Sequence, residues 1–168
     1  MQEISLNPAS YIVLGLVELS GEATPYEMKQ AAAASFGNFW SMQHAQFYTE
    51  PERLAKAGYL QEEREPGGRR RKRYHLTEQG EEAMERWRGE TTSELGELRS
   101  PGLLKVFFGA DPALIAGAQL AAHEEKLAQY EWMRDQAGED GPAGPVATLE
   151  AGIGHEREWV RYWRRLAG

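Results

Sequence analysis

The chain has no cysteine. Disulfides, thiolate zinc sites and thiol nucleophiles are therefore excluded, and any metal would need histidine and carboxylate ligands. It also lacks an apolar run of about eighteen residues, the length a membrane-spanning helix requires. The opening stretch MQEISLNPASYIVLGLVEL has neither the basic flank nor the cleavage site of a signal peptide, so a cytoplasmic protein without a membrane partner is expected. No Ser-His-Asp arrangement, glycine-rich phosphate loop or paired-carboxylate signature stands out. The expectation is a protein that is not an enzyme and carries no cofactor or metal.

An excess of positive charge is missing too: 19 Lys and Arg face 26 Asp and Glu, a formal net charge of −7. That total argues against a polyanionic partner, but the distribution does not. Arg69, Arg70, Arg71, Lys72 and Arg73 are consecutive. Within a Debye length of about 8 Å, a phosphate would feel these cations more than carboxylates elsewhere. At 168 residues with 41% hydrophobic content, the chain suits one or two small domains with a core. The division expected is residues 1–88 and 89–168.

Local signals give the order of elements. Asn7-Pro8 reads as an N-cap followed by a first-turn proline, opening a mostly buried helix that Gly21 ends. Thr24-Pro25-Tyr26-Glu27 reads as a capping box for a second helix reaching about Ala34. Phe36, Phe39 and Trp40 then read as apolar filling before a third helix that starts near Ser41. Its outward residues Ser41, Gln43, His44, Gln46 and Tyr48 are the amide, hydroxyl and imidazole groups suited to a DNA groove. Pro51 falls inside this helix and predicts a kink or a fresh start there, capped by Thr49 or Glu50.

Residues 59–64 and 70–76 read as strands flanking the turn Glu65-Pro66-Gly67-Gly68. The five cations fall at the tip and second strand of this hairpin, and with Tyr74 and Leu76 inward, Arg71 and Arg73 point out. A helix-turn-helix followed by such a hairpin is the layout of a winged helix. The expected fold is mostly α with a small β-hairpin wing. Candidate DNA contacts are Ser41, Gln43, His44, Gln46 and Tyr48 together with Arg69, Arg70, Arg71, Lys72 and Arg73.

Four pieces in this order, FGNFW (36–40), Gln46-Phe47-Tyr48, RLAKAGYL (53–60) and RRRKRYHLTEQG (69–80), resemble the PadR family of bacterial transcriptional regulators. The likeness is close over the first half of the chain and extends to the second half only in its helical character. Two departures stand out. Thr24-Pro25 replaces the family's usual His-Gly, and Pro51 stands where leucine is commoner. The resemblance implies a DNA-binding repressor that responds to aromatic or phenolic compounds.

Thr77 reads as the N-cap of a linking helix to about Arg88, carrying Ala83, Met84 and Trp87 on one face. An apolar cluster, Leu103 to Phe108, precedes Asp111-Pro112, the start of a long helix to about Gln136. This helix has Leu114, Ala118, Ala121, Ala128 and Trp132 on one side and Leu120, Leu127 and Tyr130 on another. A last helix, read from about Pro145, carries Val146, Leu149, Ile153, Val160 and Trp163 as a seam interrupted by Glu156. The two long helices show more apolar face than they can cover between themselves, which predicts a homodimer. Leu114, Leu120, Leu127, Trp132, Leu149, Ile153, Val160 and Trp163 are the dimerisation candidates.

Five tryptophans are many for this length. Some fill cores, and others suit a cavity for a flat apolar or phenolic effector, with Trp40, Trp87 and Trp132 as candidates. The reading that follows is a homodimeric, ligand-responsive repressor on a pseudo-palindromic DNA operator. The alternative is a winged-helix protein-interaction module whose wing takes an acidic partner. A third, an enzyme with a metal held by His123-Glu124-Glu125 and His155-Glu156, rests only on the echo between those two stretches.

Overall fold

Asn7 opens the fold by accepting the backbone N–H groups of Ala9 and Ser10 at 2.9 and 3.2 Å. The Ser10 hydroxyl accepts the Asn7 N–H in return at 2.9 Å, a reciprocal cap that satisfies donors left over at a helix start. Helix α1 (Pro8–Ser20) follows and ends at Gly21, whose φ of 74° suits glycine. The computed structural model describes residues 4–37, 39–64, 71–138 and 141–168. They fall into two compact units, Met1–Ser93 and Glu94–Gly168.

In the first unit a two-residue strand, β1 (Glu22–Ala23), leads to α2 (Pro25–Ala34). Thr24 and Glu27 form the expected capping box there, at 2.8 and 3.3 Å. Helix α3 spans Gln46–Lys56, strands β2 and β3 span Leu60–Arg64 and Lys72–Leu76, and α4 spans Glu78–Gly89. The sheet order is β1-β3-β2, antiparallel throughout, with Leu60 opposite Leu76 and Arg64 opposite Lys72. The mostly helical winged fold read from the sequence is thus present, with β1 as an unforeseen third strand. The hairpin turn read at residues 65–68 lies outside the described residues.

The core joins Val13, Leu14, Leu16 and Val17 of α1 to Met28 and Ala32, Phe47 and Leu54, Tyr59, Leu60 and Tyr74, and Ala83 and Met84. One close approach locks the end of the sheet to α4. A Cβ at Gly80 would lie 2.3 Å from the Tyr59 carbonyl oxygen and 2.7 Å from Leu76 Cδ2. The Thr77 hydroxyl accepts the Gly80 N–H and donates to the Gly58 carbonyl at 2.6 Å. Thr77 therefore caps the helix and ties the base of the hairpin together.

Three local readings are corrected. Helix α3 begins at Gln46, not near Ser41. No side chain caps it; instead Gln46 reaches back to accept the Gln43 N–H at 3.0 Å, and residues 43–48 turn through i→i+3 bonds. Pro51 does not start a new segment, because Thr49 bonds back to the Ala45 carbonyl and Glu50 is engaged elsewhere, so α3 runs through it. Phe39 and Trp40 do not fill the space between helices: they are 63% and 46% exposed, and only Phe36 of the three packs against the core.

In the second unit α5 (Pro101–Phe107) is capped by Ser100, and α6 (Pro112–Ala137) by Asp111. Helix α7 spans Ala143–Ala167. It starts before Pro145 because a proline in the first turn removes an N–H that has no helical partner anyway. Contacts of Arg134 with Glu150, His123 with Glu156 and Glu124 with Arg164 make α6 and α7 an antiparallel hairpin. Tyr130 of α6 and Ile153, Val160 and Trp163 of α7 are buried in this unit, as is Ala116 near the start of α6. No helix among the described residues is long and apolar enough to cross a membrane.

Candidate nucleic-acid interface

The buried stripe of α3 is Phe47, Glu50, Pro51 and Leu54, a spacing of three, four and seven that turns Tyr48 and Thr49 outward. Of the reading residues proposed from sequence, Gln46 and Tyr48 stand on the first turn of α3. Ser41, Gln43 and His44 stand in the segment before it, and all three are exposed. The His44 and Tyr48 rings approach at 5.2 Å. The five therefore form one polar end of α3, not one helical face.

The wing is less free than its composition suggests. Arg69 and Arg70 lie outside the described residues, and Arg71 is exposed. Lys72, however, projects to the Tyr74 side and meets Glu52 of α3 at 2.6 Å and Glu62 of β2 at 3.1 Å. The Glu52 bond, helped by Glu62, raises the ammonium pKa above the ordinary lysine range despite some burial. Arg73, on the opposite face, meets Glu22 at 2.9 Å and Glu27 at 3.8 Å. Glu62 also takes Arg64 at 3.2 Å and the Tyr74 hydroxyl at 3.3 Å. Burial opposes the charge of Glu62, but its bonds from Lys72 and Arg64 pull its pKa below the usual value. Glu52, Ala55, Lys56, Glu62, Arg64 and Lys72 line an open groove of about 450 Å³ between α3 and the wing.

Sequence reasoning missed these carboxylates, and it missed a buried polar cluster behind α3. The Ser10 hydroxyl donates to Glu50 Oε1 at 2.7 Å, while Arg53 donates to both Glu50 oxygens at 2.6 and 2.9 Å and to Ser10 Oγ at 2.9 Å. The signal was available: a glutamate at one of the positions where the apolar stripe of α3 demands a core residue.

Of the effector candidates, Trp40 and Trp87 belong to the first unit. Trp87 stacks on Tyr11 at 4.8 Å and 9°, Trp40 is half exposed, and Trp132, 63% exposed, belongs to the other unit. The second unit has its own open groove, about 420 Å³, lined by Leu127, Val160, Arg157, Arg161, Arg164 and Arg165. Among the dimerisation candidates, Ile153, Val160 and Trp163 are buried within this chain's own hairpin, because α6 covers the α7 seam. The seam does not stop at Glu156, which is buried and binds His123 at 2.5 Å. Leu120, Leu127 and Leu149 are half-buried, while Leu114 and Trp132 are 84% and 63% exposed. The other imidazole, His155, accepts the Trp159 indole N–H at 2.8 Å. No three metal-ligating side chains gather among the described residues.

A helical core, a helix presented after a turn and an antiparallel hairpin beside it define a winged helix-turn-helix protein. Residues 13–86 match the transcriptional regulator PadR-like family, and residues 98–167 match the virulence activator alpha C-terminal family. The first of these matches covers less than half of the chain, and by it the N-terminal unit is similar to PadR-like transcriptional regulators. It is 30% identical over 79 residues to the negative transcriptional regulator PadR of Bacillus subtilis (strain 168). That match covers 46% of this chain and spans only 43% of the relative's length.

Solved structures share the fold. Bacillus subtilis PadR in complex with operator DNA superposes with a TM-score of 0.83 at 20% identity, covering 98% of each chain. The same protein in complex with p-coumaric acid gives 0.74 at 18% identity, covering 97% of each. The Vibrio cholerae virulence activator AphA gives 0.68 at 18% identity, covering 95% of each.

Proposed function

We propose that the protein is a cytoplasmic transcriptional repressor that binds a pseudo-palindromic operator as a homodimer, one winged helix per half-site. The observation that carries the reading is the polar end of α3, Ser41 to Tyr48, on a helix that Glu52 joins to Lys72 of a hairpin whose second strand opens on cations. In this mechanism Gln43, Gln46 and His44 read base edges, Tyr48 meets phosphate or a thymine methyl, and the cations from Arg69 to Arg73 meet the backbone. Half-sites lie about one helical turn, roughly 34 Å, or a multiple of it apart. Support comes from the PadR relative named as a negative regulator and from the operator complex that shares this fold.

Dimerisation uses the α6 side bearing Leu114, Ala118, Ala121, Ala128 and Trp132, all exposed in the single chain. An aromatic or phenolic effector changes the separation of the two reading heads. A coupling of about 1 to 3 kcal/mol releases DNA by roughly 5- to 150-fold. The p-coumaric acid complex of the fold relative supports that class of compound.

The test is selection of genomic fragments on the purified protein at two salt concentrations, with wild type and the Arg70→Ala, Arg71→Ala, Arg73→Ala variant. An enriched inverted repeat that the variant loses supports the reading. No enrichment, with wild type and variant alike, leaves the interaction-module alternative.

A further inference from the structure

Glu50 occupies a core-facing position of α3, flanked on the same stripe by Phe47, Pro51 and Leu54, and is 9% exposed. An apolar side chain there would continue the stripe. Replacing a buried ion pair by well-packed apolar residues is often neutral or stabilising, so stability alone gives little reason for a carboxylate. What a carboxylate provides and a methyl group does not is direction.

Here the direction is over-determined. Both Glu50 oxygens accept from Arg53, and Oε1 also accepts from Ser10, itself fully buried on α1. The Ser10 hydroxyl uses its whole capacity, donating to Glu50 and accepting from Arg53 and from the Asn7 N–H. Arg53 Nη1 reaches on to the Ser5 carbonyl at 3.3 Å. Three segments, the chain before α1, α1 itself and α3, therefore meet in one network. Apolar contacts between helices tolerate small rotations and slides, whereas directional bonds from Ser10 to Glu50 and from Arg53 to Ser10 and the Ser5 carbonyl tie α3 to α1 and to the chain before it. The Arg53 fork on Glu50, within α3, holds those two side chains in place to make them.

We propose that Ser10, Glu50 and Arg53 are positioning residues for DNA reading, fixing the rotation and axial register of α3 so that its polar end meets base edges. The proposal rests on the assignment of α3 as the reading helix. Glu50 lies two residues after Tyr48 and four after Gln46, about one helical turn. A rotation permitted at Glu50 is thus transmitted to those side chains directly.

The experiment compares affinity for the duplex enriched in the genomic selection with affinity for a scrambled duplex of the same composition, at several salt concentrations. The variants are Glu50→Gln, Arg53→Lys and the apolar triple Ser10→Ala, Glu50→Met, Arg53→Met, each measured below its own melting temperature. We expect the triple variant to melt near the wild type while the ratio of specific to scrambled affinity falls by about tenfold, the equivalent of one misread base pair. Glu50→Gln lowers the same ratio and leaves the salt slope on scrambled duplex unchanged. Arg53→Lys, which keeps the charge and loses the fork, falls between.

An unchanged ratio in folded Glu50→Gln and Arg53→Lys overturns the proposal. So does a salt slope that rises by about 0.9 in Glu50→Gln, because Arg53 would then be a phosphate ligand that Glu50 restrains. If the triple variant does not fold, the two single variants decide. A wild type that prefers no duplex is recognised separately: it removes the reading of α3 and the proposal with it.

Discussion

Lys72 and Arg73 should contribute less to DNA affinity than Arg71, although the three are consecutive. The perturbation is a set of single substitutions, Arg71→Ala, Lys72→Ala and Arg73→Ala. Arg71 is exposed and acts on Glu27 only at longer range, more weakly than Arg73 does, so a phosphate meeting it displaces mainly counterions. It should contribute about 0.9 to the slope of log affinity against log salt. Between about 50 and 200 mM salt the wild type then loses roughly 3.5-fold more affinity than Arg71→Ala.

Lys72 must first leave Glu52 and Glu62, at 2.6 and 3.1 Å, and Arg73 must leave Glu22 and Glu27, at 2.9 and 3.8 Å. These carboxylates are 23 to 49% exposed, and such pairs contribute about 0 to 1 kcal/mol each. Exchange is therefore possible, but the carboxylate stays behind and repels the incoming phosphate. Slope changes for Lys72→Ala and Arg73→Ala should be under about half that of Arg71→Ala. Fluorescence anisotropy with a labelled duplex across the salt range measures all three. Equal slope losses would refute the argument, since they would mean that the glutamates do not compete.

Three further outcomes are expected. Gly80→Ala should lower stability by about 1 to 3 kcal/mol, read by calorimetry as a lower Tm, because its Cβ collides with the Tyr59 carbonyl, an atom held by the sheet. Urea midpoints of the N-terminal unit should fall as pH drops below about 4.3, the unperturbed glutamate value. Burial opposes the charge of Glu50 and Glu62, but Arg53 and Ser10 hold one and Lys72 and Arg64 the other below the usual range, and the Thr24 backbone N–H does the same for Glu27. These groups stabilise the fold above their unfolded pKa, and the stabilisation disappears as pH falls through their folded values. Lys72 and Tyr74 are shifted upward, Lys72 by its Glu52 bond and Tyr74 by burial, so a second decline should begin as pH rises past about 10. In Leu114→Asp with Trp132→Asp, light scattering should report the mass of a single chain, since a charge on either exposed position is incompatible with an apolar interface.

Much of the fold was legible because its signals are local. Asn7-Pro8, Thr24-Pro25-Tyr26-Glu27, Thr77 and Asp111-Pro112 each carry a cap or first-turn proline whose chemistry depends on the next few residues, and each opens a helix where read. The start of α3 was misread because it has no such residue: Ala45 stands at its N-cap, and the compensating bond runs from Gln43 to the Gln46 side chain. The strands carried a period-two pattern, but β1 is two residues long, too short for any period to show.

The wing cations are legible in the sequence and their partners are not. A run of cations is visible as composition, whereas Glu22, Glu27, Glu52 and Glu62 come to the wing from four different segments. Glu156 was read as a flaw in an apolar seam because His123, its partner, is 33 residues away.

Thr77 also marks where this fold can be cut and rejoined. Its hydroxyl ends the hairpin at Gly58 and begins α4 at Gly80, so the strands, their base and the first turn of the helix form one exchangeable cassette. A chimera that transplants only the strands between Leu60 and Leu76 would inherit a foreign base and lose the bond that sets the hairpin's exit angle. Grafting residues 58–80 whole carries the glycine, the hydroxyl and the Tyr59 carbonyl together. For anyone recombining such proteins, the natural joints fall outside the sheet.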